Sequence, residues 1–156
     1  MNKNKSGWIV GAIIVAALAV LFIIPRINNP TPPEVKAWNA AGIACVDENR
    51  TPLQQHFHPV LKVFVDGIEE TIPASVGNVS RCTAEIHTHD LTGTIHVESP
   101  SATREFFFKD VLTVWGRALE RPGYALEMTV DGAPSTEGEE LMLKDKQQIT
   151  LNYIKE

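Results

Sequence analysis

From Trp8 to Ile24 the chain is apolar almost without interruption, with Lys3 and Lys5 before the run and Pro25-Arg26 closing it. A helix of this length sits at the lower limit for spanning a bilayer core. A cleavable signal peptide is the competing reading, because Ala16, Ala17 and Ala19 are small, yet the apolar run continues past them with no polar cleavage region. An uncleaved signal anchor is the favoured reading. Lys3, Lys5 and the free amino group outweigh Arg26, which places the N-terminus in the cytoplasm and all that follows Pro25 outside it. The expected organisation is a cytoplasmic tail (1–7), a transmembrane anchor (8–24), a Pro-rich linker (25–36) and an extracytoplasmic β-rich domain (37–156).

The stretch Asn28-Asn29-Pro30-Thr31-Pro32-Pro33 reads as an extended spacer, and folding is expected to begin near Glu34. About 120 residues remain, enough for one core. Setting aside Lys3, Lys5 and Arg26 leaves 11 basic against 19 acidic residues, a formal −8, which argues against nucleic acid as a partner. The membrane is the one expected partner, through the N-terminal helix; a protein partner is not legible. Cys45 and Cys82 lie outside the cytoplasm on this topology, where disulfides persist. A structural bridge between them is favoured over thiolate ligands or redox chemistry, since the spacing is not Cys-x-x-Cys. By the chain-entropy account it contributes about 4 kcal/mol.

The expected fold is α+β and mainly β: an antiparallel β-rich domain, sandwich-like or β-grasp-like, with one short helix. Leu61, Val63 and Val65 alternate before Asp66-Gly67 and Ile68 to Ile72. This reads as a hairpin pairing Val65 with Ile68 and Leu61 with Ile72, apolar residues on one face. A second hairpin is expected from Glu85–Asp90 and Thr94–Glu98. Arg104–Phe108 reads as a strand and Asp110 as the N-cap of a helix presenting Val111, Leu112, Trp115 and Leu119, kept short by Gly116. Strands at Leu126–Val130 and Gln148–Ile154 flank a second Asp-Gly (Asp131-Gly132) and an acidic loop from Pro134 to Glu140.

All five histidines fall between His56 and His96, as His56-Phe57-His58, His87-Thr88-His89 and His96. Alternate residues of a strand point the same way, so each His-x-His offers two imidazoles to one ion. With Thr92-Gly93 as a two-residue turn, His89 lies opposite His96 and His87 opposite Glu98, gathering three imidazoles and a carboxylate. A type I turn with a bulge at Gly93 shifts the register by one residue and sends His96 to the other face. Asp90 is placed to orient an imidazole as a hydrogen-bond acceptor. Imidazole suits several metals, and Met1, Met128 and Met142 are distant in sequence, leaving Zn²⁺ or Cu²⁺ as the expected ion.

Five pieces of this chain form a recurrent pattern: Gly42-Ile43-Ala44-Cys45, His56-Phe57-His58, Ile72-Pro73-Ala74 with Val76-Gly77, the block from His87 to Pro100, and Val114-Trp115-Gly116. In these the chain resembles an uncharacterised family of small, membrane-anchored or exported prokaryotic domains. The resemblance implies export, a β-rich domain and a functional role for the five histidines, but no reaction. It departs at Phe107-Phe108-Lys109-Asp110, where the pattern carries a Leu-Gly step before the Trp-Gly helix.

Three functions follow as expectations. The first is an anchored metal-binding domain that delivers or sequesters Zn²⁺ or Cu²⁺. The second is a metal-dependent enzyme with a three-histidine site, Glu98 or Asp90 serving as base. The third is a structural or interaction module without metal. Gly-x-Ser-x-Gly, phosphate-loop and His-Glu-x-x-His motifs are absent from the sequence.

Overall fold

Each Asp-Gly step takes the two consecutive positive φ angles of a tight hairpin turn: 50° and 80° at Asp66-Gly67, 52° and 81° at Asp131-Gly132. In the computed structural model, which describes residues 31–47 and 52–156, these turns frame a five-stranded sheet. Its strands are β3 (Val60–Val65), β4 (Ile68–Glu70), β9 (Tyr124–Val130), β10 (Ala133–Pro134) and β11 (Gln148–Lys155), in the order β10-β9-β11-β3-β4. The anchor expected at 8–24 lies outside the described residues. Among those described, no helix is long and apolar enough to cross a membrane.

The sheet is mixed, a correction to the antiparallel expectation, because β11 runs parallel to β3 and antiparallel to β9. Both turn aspartates serve β11. Asp131 Oδ1 accepts from Gln148 N at 2.8 Å and Asp66 Oδ1 from Lys155 N at 2.9 Å. The repeated Val-Asp-Gly thus reflects one task performed at the two ends of one strand. The first hairpin has the expected Val65–Ile68 pairing, but its ladder stops at Val63–Glu70, short of Leu61–Ile72. Leu61, Val63 and Ile72 are buried, whereas Ile68, at the tip, is 76% exposed.

Two smaller sheets make up the rest of the β structure among the described residues. One is β1 (Cys45–Val46), β6 (Cys82–Ala84) and β5 (Asn78–Val79); the other is β2 (Gln55–Phe57), β8 (His96–Ser99) and β7 (Ile86–His87). Cys45 and Cys82 are disulfide-bonded, with their Cα atoms 5.1 Å apart. The bridge thereby joins β1 to β6 covalently.

Among the described residues there are two α-helices rather than the one short helix expected for the domain. Helix α1 (Pro33–Ala40) starts with proline at a first-turn position, where its missing N–H costs nothing, and buries Val35 and Trp38. Its residues overlap the end of the stretch read as linker. Helix α2 (Phe108–Trp115) buries Phe108, Val111, Leu112 and Val114 and stops at Gly116, which is left-handed at φ 70°. Asp110 sits inside its first turn and accepts from Phe107 N at 2.9 Å. Phe107, not Asp110, is therefore the N-cap.

Arg104–Phe108 does not form the expected strand. Phe107 makes a single bridge to Met142, and Arg104 is drawn to Glu85 instead. That buried carboxylate holds Arg104 Nη1 at 2.5 Å, accepts from Ser99 Oγ at 2.6 Å and from Ala44 N at 2.9 Å. Glu85 ties three segments together just before the second His pair.

Candidate metal centre

Strand β8 is the middle strand of its sheet, and its register fixes the site. His56 on β2 lies opposite Glu98, and His87 on β7 lies opposite His96. Directly opposed residues in an antiparallel ladder share a face, as do residues two apart along a strand. His56, His87, His96 and Glu98 therefore stand on one side of the sheet. His58 and His89, each two residues beyond a paired histidine, join them.

The pairing His87–His96 differs by two residues from the expected His89–His96 and His87–Glu98 register. An even slip preserves which face each side chain occupies. The shared face agrees with the two-residue-turn reading and not with the bulged one, yet the two-residue turn itself does not form. In its place residues 88–95 leave β8 and cross to β3, where Gly93 O accepts from Leu61 N at 2.9 Å and Pro59 O from Ile95 N at 2.9 Å. A methyl group on Gly93 would sit 2.2 Å from the Leu61 carbonyl oxygen, so only glycine fits this crossing.

The imidazoles form two groups of ligand atoms, each within 4.8 Å of one another: His87, His89, His96 and Glu98 in one, and His56, His58 and His96 in the other. His87 Nε2 and His89 Nε2 are 3.0 Å apart; so are His56 Nε2 and His58 Nε2. Glu98 Oε1 lies 3.2 Å from His56 Nε2 and 3.8 Å from His96 Nδ1. His96 is packed among the other rings, with centroids 4.4 Å from His89, 4.6 Å from His58 and 5.5 Å from the stacked ring of His87.

Two imidazoles are preset as ligands. His87, fully buried, has Nδ1 2.9 Å from Ala84 O. A carbonyl only accepts, so Nδ1 carries the proton and, in the neutral ring, Nε2 keeps its lone pair for an ion. Burial, reinforced by the surrounding histidines, pushes the pKa of His96 down to about 4. It is therefore a neutral ligand at physiological pH. Its Nδ1 is buried with no hydrogen-bond partner.

Thr88, between the two ligands of its pair, points the other way. Its hydroxyl donates to Pro73 O at 2.6 Å and accepts from Val76 N at 3.2 Å, while Thr88 N donates to Val76 O at 3.0 Å. Gly77 lies so close behind that a methyl group there would meet Ile86 O at 2.3 Å and His87 Cβ at 2.9 Å. Pro73, Val76 and Gly77 are thus the backing of the site. On the other side, Asp145 Oδ1 accepts from His58 N at 3.0 Å, a support that sequence reading missed because Asp145 lies far along the chain. Asp90 departs from its expected role. Its Oδ1 accepts from Thr92 N at 2.9 Å and Thr92 Oγ1 at 2.5 Å, shaping its own turn rather than orienting an imidazole.

Compared with protein-family models, curated proteins and solved structures, the chain gives no match.

Proposed function

We propose that this domain binds a divalent transition metal, Zn²⁺ or Cu²⁺, on the histidine face, and that residues 8–24 hold it outside the cytoplasm. The observation that carries the reading is the convergence of five imidazoles and one carboxylate on a single sheet face, with His96 Nδ1 buried there unbonded. Buried polar atoms are ordinarily bonded, and an ion supplies what His96 lacks. Imidazole and carboxylate donors suit both metals, and equal ligation favours Cu²⁺ over Zn²⁺ in affinity.

The side chain of His56 is 49% exposed and His89 is exposed. Ions on this face exchange readily with solvent or a partner, which supports delivery or sequestration. The Cys45–Cys82 disulfide supports an oxidising compartment, in keeping with export as the motif resemblance implies. The central parallel pair of β3 and β11, with β4 outside β3, the β9–β10 hairpin outside β11 and helix α2 in the connection, supports β-grasp-like over sandwich-like architecture.

Calorimetric titration of the full chain in detergent with Zn²⁺ and Cu²⁺ tests the reading. Wild type takes up metal, and His89→Ala, which removes an exposed ligand, weakens the site containing it by at least about 100-fold, beyond the loss typical of an outer-shell change. A folded protein that binds neither ion below millimolar concentration ends the metal reading.

A further inference from the structure

We infer that the histidine face holds two ions side by side, an inner and an outer one, with His96 and Glu98 between them. The inference rests on the metal-binding reading above. Five imidazoles and a carboxylate are six ligating groups, more than the four of a tetrahedral ion. They are also not arranged around one point. The two close pairs, His87/His89 and His56/His58, each have Nε2 atoms 3.0 Å apart. That is near the roughly 3.3 Å between two nitrogens on one tetrahedral ion with bonds of about 2.0–2.1 Å. Each pair is already a chelate, and the two pairs fall in different groups joined by His96 alone.

Glu98 belongs to the inner group, yet its Oε1 lies 3.2 Å from His56 Nε2 of the outer pair. Its two-oxygen carboxylate therefore stands where neighbouring ions share a ligand, whereas the neutral His96 ring, with a single lone pair, serves one ion of the two. Carboxylate-linked metal pairs sit about 3.5–4 Å apart, a spacing that two His-x-His pairs on either side of one strand accommodate. The surroundings differ in depth: His87 of the inner pair is 0% exposed, whereas His56 of the outer pair has a 49% exposed side chain.

The test counts Cu²⁺ bound to the full chain by native mass spectrometry and reads the coupling of the ions by electron paramagnetic resonance. Wild type is expected to hold two ions with a spin-coupled spectrum. His56→Ala/His58→Ala and His89→Ala, all substitutions at sites not fully buried, are each expected to leave one ion with the spectrum of isolated Cu²⁺, circular dichroism confirming the fold. One ion in wild type, or two without coupling, overturns the paired site while leaving the metal-binding reading intact. No ion at all overturns both.

Discussion

His96 owes its character to its place beneath the other rings. Burial and neighbouring imidazoles lower its pKa to about 4, against about 6.5 in an unfolded chain. Between these values the unfolded state takes up a proton that the folded state refuses, so metal-free stability falls as pH drops from 6.5 toward 4. Above 6.5 the contribution is complete and constant. Urea unfolding of metal-free wild type and His96→Asn across this range is expected to show a slope in wild type that the variant lacks. Parallel curves would place the acid sensitivity elsewhere.

Among the elements, the crossing from 88 to 95 takes the place of both turns that sequence alone leaves open and sets the His87–His96 register. The turn keeps its shape through Asp90 and Thr92, and Gly93 at φ 78° lets it lie against β3. Gly93→Ala is expected to cost about 1–3 kcal/mol from the left-handed backbone, with a further loss because the Leu61 carbonyl must move. Since this segment carries His89, Cu²⁺ affinity should weaken in the same variant. Unchanged urea midpoint and affinity would mean that the crossing is not held by this contact. The motif residues without metal-binding chemistry fit the same scale: Pro73, Val76 and Gly77 back the strand that carries His87.

For the whole molecule, the disulfide between β1 and β6 and the Glu85–Arg104 pair hold the segment before the second histidine pair from two sides. Cys45→Ser/Cys82→Ser is expected to cost about 2–4 kcal/mol, measured as a lower urea midpoint. Metal binding should persist in the variant wherever it remains folded, because neither sulfur is a ligand. Loss of binding by a folded variant would show that the bridge shapes the site itself.

Alternation along a strand is a local property, and it alone determined that His56 and His58, or His87 and His89, would share a face. The same locality made both Asp-Gly turns, the short helix with Gly116 at its end and the burial of Leu61 and Val63 legible. Tertiary structure decided which strands meet. The pairing of β2 with β8 brings residues 40 positions apart, His56 and His96, to one site, and no local pattern encodes that partnership. Likewise, Arg104 abandons a strand-like sequence because Glu85, distant in the chain, is buried and requires a cation. The parallel run of β11 beside β3 depends on hydrogen bonds between opposite ends of the domain. Periodicity records the face a residue presents to its neighbours, whereas the identity of those neighbours is settled only by burying the whole core at once.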